Sequence, residues 1–331
     1  MTNELLIKSA IAHKTSTGLY FNGKSEDILQ SEAMQGYKGK IQLILTSPPF
    51  PLNNKKKYGN LKEEAYLEWF TNLAPIFSQM LTDNGSIVIE IGNSWEDSRP
   101  VQSLLPLQSL MGFVSHANAG LRLIQEFISY NPSRLPSPAQ WVTVNRIRTV
   151  DSYTRVWWIA KQDFPKADNS KVLRPYSKSM QKLLERGSYN SGKRPSEHNI
   201  SKNSFLKDHG GSIAHNFFEI DGLDLDREPR LPNAFSFSNT SSNDFFSRQC
   251  KERGIIPHPA RMPMGLAEFF IQYLTDPDDV VLDPFAGSNT TGYTAARLGR
   301  KWLSIDAKED YAIQSRIRFE DPILSDGLQE D

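Results

Sequence analysis

Ser47-Pro48-Pro49-Phe50 follows, through Thr46, the apolar run Ile41-Gln42-Leu43-Ile44-Leu45. Consecutive prolines fix φ at both positions and remove their backbone donors, so the chain leaves this segment as a stiff tip. The tip offers a hydroxyl, the acceptor carbonyls of Ser47 and Pro48, and an aromatic ring. Those groups suit a planar amine, with acceptors for its N–H hydrogens and a ring against its flat face. Alone, the tetrapeptide would also pass for an ordinary proline-terminated strand end, and a second constellation far downstream decides between the readings.

There Val280-Val281-Leu282 runs into Asp283-Pro284-Phe285-Ala286-Gly287-Ser288-Asn289-Thr290, with a helix opening near Thr290. Strand, small-residue turn and helix make a nucleotide-type pocket. Gly287 lets a ligand approach the backbone beside Ser288, and the helix start supplies free N–H groups. The next strand ends in Asp306, a carboxylate placed to accept from ribose hydroxyls. No basic residue in the turn would meet a pyrophosphate, and Asp283 would repel one. The ligand expected is an adenosine derivative with a cationic or zwitterionic tail. Glu90, near the carboxyl end of the apolar strand Ser86 to Gly92, is a further acid that requires a partner where it is buried. Hydrogen-bond reach of Ser47 is the expectation for it.

For the two constellations to meet, their strands must be near neighbours in a parallel sheet. Ile41 to Leu45 and Ser86 to Gly92 are apolar without alternation, as strands covered on both faces are. Leu121 to Tyr130 and Thr154 to Ala160 read as further strands, the second antiparallel. Glu63 to Met80 has a helical period interrupted by Pro75, Asp83-Asn84-Gly85 reads as a turn, and residues 1 to 17 show no firm period. Beyond Lys161 strand-like runs become scarce and Gly, Ser and Asn accumulate. Arg174, Lys178, Lys182 and Arg186 recur every fourth residue, which makes one basic stripe if Tyr176 to Arg186 is helical, suited to DNA. Lys55, Lys56 and Lys57 follow the tip closely and suit phosphate contacts. The division expected is a catalytic half over 1–165, an inserted recognition domain over 166–254 and a cofactor-binding half over 255–331.

The 331 residues carry no net charge, yet from Ser133 to Asn216 about fifteen Lys and Arg stand against about six Asp and Glu. Regional separation of that kind is compatible with nucleic acid on one face. Cys250 is the only cysteine, so neither an intrachain disulfide nor a cysteine zinc site is expected. It has no activating neighbours for thiolate attack on a cytosine ring carbon. No metal site is expected at the histidines, and with no long apolar segment or export leader the expected location is the cytoplasm.

Ser-Pro-Pro-Phe early in the chain, with Asp-Pro-Phe-Ala-Gly-Ser-Asn-Thr-Thr-Gly late, resembles the permuted β-class of S-adenosylmethionine-dependent DNA amino methyltransferases. The likeness is greatest to the PvuII-type N4-cytosine enzymes of restriction-modification systems, and it extends from Gly18 to about Phe319. It implies an α/β fold, a Rossmann-like, mostly parallel sheet with one antiparallel strand, circularly permuted, with an inserted smaller DNA-recognition domain. S-adenosyl-L-methionine would be the cofactor and double-stranded DNA the partner, with a cognate nuclease acting on the same sites and the methyltransferase working as a monomer. Asp283, Pro284, Phe285, Gly287, Ser288, Asn289 and Thr290 would line the cofactor pocket and Asp306 would hold the ribose. His258, Pro259, Ala260, Arg261 and Pro263 would close over the methionine end. Ser47, Pro48, Pro49 and Phe50 would engage the target base, with Glu90 behind Ser47.

Two departures stand out. The family often follows its first strand with Gly-Asp, the Asp reading the adenine amine, whereas here Gly23 precedes Lys24. The acid closing the strand of Glu90 is Asp in PvuII-type enzymes. Members acting on adenine N6 usually begin the tip motif with Asp or Asn, so Ser47 favours cytosine. The rival readings are N6-adenine methylation on the same fold, a DNA-binding regulator with a relic pocket, and methylation of a protein glutamine.

Overall fold

The computed structural model describes residues 10–50, 63–202, 205–221, 235–238, 244–258, 260–322 and 324. Its strands are β1 (Ile11–Lys14), β2 (Gly18–Asn22), β3 (Ile41–Thr46), β4 (Leu81–Gly92), β5 (Arg122–Tyr130), β6 (Tyr153–Ala160), β7 (Gly192–Lys193), β8 (Asn199–Ile200), β9 (Phe217–Asp221), β10 (Phe235–Ser238), β11 (Val280–Asp283) and β12 (Lys301–Asp306). All but β7 and β8, which form a small antiparallel ribbon, join one mixed sheet in the order β1-β2-β12-β11-β3-β4-β6-β5-β9-β10. From β2 to β4 the neighbours are parallel, and β6 runs antiparallel to both of its own. The edge strand β1 is also antiparallel. It lies in the segment without firm period, where pairing with β2 supplies what local pattern does not.

Each buried strand distributes its side chains to two cores. Ile44, Ile87, Ile89 and Ile91 pack on Tyr66, Phe70, Leu73 and Phe77 of α3 (Glu63–Met80). Leu43, Leu45, Val88 and Trp158 turn to the other face, against Leu266, Phe269, Phe270 and Leu274 of α7 (Met264–Leu274). Covered on both sides, β3 has no exposed residue, which is why its sequence is apolar without alternation. The remaining helices are α1 (Ser25–Gln30), α2 (Glu32–Gln35), α4 (Leu105–Val114), α5 (Lys178–Arg186), α6 (Phe245–Glu252), α8 (Thr290–Arg297) and α9 (Glu309–Arg318).

Two local expectations are corrected. Pro75 does not interrupt α3, which continues to Met80; the buried aromatic face holds a helix that loses one backbone bond. Asp83-Asn84-Gly85 is not a chain-reversing turn but part of a bulge in β4. Leu81 pairs with Ile41 and pairing resumes at Ser86 with Leu43, leaving Asp83 and Asn84 exposed. The 166–254 segment holds α5 and the β7–β8 ribbon, and its β9 extends the large sheet beside β5.

Candidate active site

Because β3 and β11 are parallel neighbours, with Ile44 opposite Leu282, the chain segments that leave them emerge at the same end of the sheet. Thr46 Oγ1 donates to Asp283 Oδ1 at 2.7 Å, joining the two constellations across 237 positions of sequence. A cleft of about 520 Å³ opens there. Ser47, Pro48, Pro49 and Phe50 line one side, and Asp283, Phe285, Gly287, Ser288, Thr290 and Asp306 the other, with His258, Ala260 and Arg261 also in its wall. The ring of Phe50 lies over Gly92, where a Cβ would come within 2.6 Å of it. Any larger residue there would displace the tip.

The acids on the cofactor-type side are held by donors. Asp283 accepts from Thr46, from Thr291 Oγ1 at 2.7 Å and from the Phe285 amide at 3.1 Å. Burial nevertheless pushes its carboxyl up to about 6, the hydrogen bonds from Thr291 and Thr46 opposing that rise. Asp306 takes the Gly287 amide on one oxygen and the Lys308 amide on the other, each at 2.9 Å; burial raises its carboxyl too. Gly287 adopts φ 50°, the left-handed backbone that glycine tolerates. Its carbonyl accepts from Tyr20 Oη at 2.8 Å. His258 packs edge-on against Tyr311, ring centres 4.4 Å apart, and burial lowers its imidazole to about 4, so it is neutral at physiological pH.

Some expected site residues do other work. Asn289 is fully buried and does not line the cleft. As N-cap of α8 its Oδ1 accepts from the Gly292 amide at 3.0 Å and from Ser304 Oγ at 2.7 Å, while Nδ2 donates to Ser315 Oγ. Pro284 is also absent from the lining; its carbonyl accepts from Ser25 Oγ. Pro263 is the buried residue that opens α7. Glu90 is buried, with its carboxyl raised by desolvation, and its hydrogen bond comes from Thr154 Oγ1 at 3.0 Å rather than from the cleft. Arg174 precedes α5 and pairs its backbone with Ser212, so the basic stripe on the helix is Lys178, Lys182 and Arg186, all exposed. Lys55, Lys56, Lys57 and Pro259 lie outside the described residues.

The family model for DNA methylases, of the N6/N4 methyltransferase type, matches residues 41–316. The Type II methyltransferase M.PvuII of Proteus hauseri is 40% identical over 317 residues, which cover 95% of this chain and 87% of that protein. This chain belongs to the DNA methylase family. A solved structure titled PvuII DNA methyltransferase (cytosine-N4-specific) superimposes with a TM-score of 0.70 at 33% identity, covering 96% of this chain and 93% of that one. TTHA0409 of Thermus thermophilus, solved complexed with S-adenosyl-L-methionine, shares the fold with a TM-score of 0.50 at 18% identity, covering 93% and 95% of the two chains.

Several residues of this methylase's cleft are not legible in its motifs. Tyr66 and Trp69 of α3 line it, as do Lys24, Ser25 and Glu26 beyond β2, and Tyr311 of α9. Trp69 meets Phe285 edge-on with ring centres 5.5 Å apart. Behind the turn, Arg318 of α9 is buried and donates through Nε to the Ser288 carbonyl at 2.6 Å and through Nη2 to Thr290 Oγ1 at 3.1 Å. Its guanidinium lies 4.1 Å from the centre of the Phe246 ring, and burial lowers it to about 10. The helical period of α3 was legible in the sequence, but Tyr66 and Trp69 were not marked out by it; Arg318 sits in the last turn of a helix with nothing local to mark it.

Proposed function

We infer that this DNA methylase transfers a methyl group from S-adenosyl-L-methionine to the exocyclic N4 of cytosine in duplex DNA. The observation that carries this reading is the Thr46–Asp283 hydrogen bond, which sets an amine-accepting tip and an adenosine-type turn in one cleft. The likeness to a Type II methyltransferase and to a structure titled cytosine-N4-specific supports the choice of base.

The residues fit the cofactor. The cleft volume is within the usual range for a small-molecule site. Asp306 suits a ribose and Asp283 a cationic tail, and Tyr66 Oη is buried with no hydrogen-bond partner among the described residues, as a donor reserved for a ligand would be. When bound, S-adenosyl-L-methionine supplies a methyl group made electrophilic by its sulfonium.

The amine of cytosine is a poor nucleophile because its lone pair is delocalised into the ring. Ser47 Oγ and the Pro48 carbonyl accept its hydrogens, draw them out of the ring plane and localise that pair. Phe50 stacks on the base, which must leave the duplex to reach the cleft, and offsets part of the unstacking cost. Glu90 stands level with Ser47, since Thr46 pairs with Ile89, and strand alternation turns both to one face. Its hydrogen bond goes to Thr154 and not to Ser47, so its part in this reading is only to take the displaced proton, passed on through the Ser47 hydroxyl.

The exposed Lys178, Lys182 and Arg186 neutralise DNA phosphates, and the 166–254 region selects the site. The enzyme works as a monomer in the cytoplasm, on the sites that a partner nuclease would cut.

Mass analysis of nucleosides from DNA methylated by the purified enzyme tests the reading. N4-methylcytosine is expected. N6-methyladenine would reassign the base, and unmodified DNA after demonstrated cofactor binding would exclude the activity.

A further inference from the structure

This inference rests on the S-adenosyl-L-methionine reading and names the residue that selects its base. Adenine presents two flat faces, ring nitrogens that accept, and one exocyclic amine that donates. An amine enclosed by protein needs an acceptor. Lysine has none, so Lys24 cannot serve at the position after Gly23.

Three carboxylates line the cleft: Glu26, Asp283 and Asp306. Both oxygens of Asp283 and both of Asp306 already accept protein donors. Glu26 differs. Its Oε1 accepts from Trp69 Nε1 at 2.8 Å, and its Oε2 has no partner among the described residues.

Position agrees with this chemistry. Along the sheet the order is β11, β12, β2, so Asp283, Asp306 and the segment after Asn22 end adjacent strands. The Gly23 amide donates to the Asp306 carbonyl at 2.9 Å, which ties the approach to Glu26 to the ribose-type acid. Neighbouring strands lie about 4.8 Å apart, so Glu26 is about two strand spacings from Asp283. A nucleoside with its cationic tail at Asp283 and its ribose at Asp306 therefore carries its base toward Glu26. Trp69, edge-on to Phe285 and bonded to Glu26, supplies aromatic wall along that path.

We propose that Glu26, oriented by the Trp69 indole N–H, accepts the exocyclic amine of the cofactor's adenine and makes this methylase selective for an aminopurine base. Glu26 stands two positions beyond Lys24, at the start of α1. Its side chain thus supplies an acceptor where the residue following Gly23 does not.

The test is calorimetric binding of S-adenosyl-L-homocysteine and S-inosyl-L-homocysteine to the full chain, with no methyl transfer involved. The inosyl ligand replaces the amine by a carbonyl, which would face the Glu26 carboxylate. The parent protein should prefer the adenosyl ligand by about tenfold to a hundredfold, as expected for one charge-assisted hydrogen bond. Glu26→Gln keeps an acceptor for Trp69 and turns a donor to the base, so the ratio should collapse or invert as inosyl affinity rises. Glu26→Ala should bring the two affinities together. Trp69→Phe keeps the aromatic wall but frees the carboxylate, and should weaken the preference. A preference unchanged in both Glu26 variants overturns the assignment while leaving the cofactor reading intact. A parent protein that binds neither ligand overturns both.

Discussion

The two sides of the cleft are built on opposite principles. On the side proposed for the cofactor, the glycine turn and the two aspartates that flank it are already engaged. Asp283 holds three donors, Asp306 holds two backbone amides, Asn289 is bonded on both ends of its amide, and Arg318 clamps Ser288 and Thr290. On the side proposed for the base the shape comes from covalent stiffness, two prolines and an aromatic ring seated on Gly92. Ser47 Oγ has no hydrogen-bond partner among the described residues. A group that binds as a whole is met by a surface fixed beforehand. A group whose hydrogens must shift during reaction is met by acceptors left free for it.

The largest test of this contrast is Asp283→Asn. Cofactor affinity should fall by about a hundredfold, because the amide cannot balance a cationic tail. Stability should move the other way. The Asp283 carboxyl rises from the ordinary 3.8 to about 6, so the folded chain holds this proton more tightly than the unfolded one. Its contribution is fullest below pH 3.8 and is lost as pH rises through about 6, a difference of about 3 kcal/mol at about 1.4 kcal/mol per tenfold change in proton affinity. The variant should resist denaturant better than the parent at pH 8 and equal it near pH 3.5. Lower stability at pH 8 would mean that the three donors outweigh the burial.

Ser47→Ala should lower single-turnover methyl transfer on the order of 10²-fold and leave cofactor affinity unchanged by calorimetry. If both fall together, the two sides are not independent. Asn289→Ala should destabilise the fold by about 2 kcal/mol, combining a lost helix cap with stranded buried hydroxyls at Ser304 and Ser315; unfolding curves measure it. The smallest effect is expected far from the cleft. Replacing Lys178, Lys182 and Arg186 by Ala should flatten the dependence of DNA affinity on salt by roughly one in slope for each phosphate no longer neutralised, with turnover at saturating DNA preserved. An unchanged slope would remove α5 from the DNA surface.

Strands buried on both faces were legible because their apolar runs leave little choice of element, and the Ser-Pro-Pro-Phe tip and the glycine turn carry their conformations in their own residue types. Asn289 was misplaced for a physical reason. A polar residue between Ser288 and Thr290 reads as a ligand contact, but its left-handed φ of 63° turns the side chain inward to cap α8. Glu90 bonds Thr154 because β6 returns antiparallel beside β4, a pairing with no local signature. Trp69 belongs to a helix whose period reveals a buried face but not which motif lies beneath it, and Arg318 to one whose buried face is largely polar, with Gln314 and Ser315 beside it, and so leaves no apolar period to read.

By itself the sequence determined that a stiff acceptor tip and an adenosine-type turn exist, each closing a strand, since proline, glycine and apolar runs constrain the backbone locally. That β11 lies directly against β3, so that Thr46 reaches Asp283, was decided only in the tertiary structure. So was the placing of Tyr66, Trp69 and Glu26 along the same wall. Strand pairing between distant segments is selected by the fit of both cores at once, and neither segment records that fit alone.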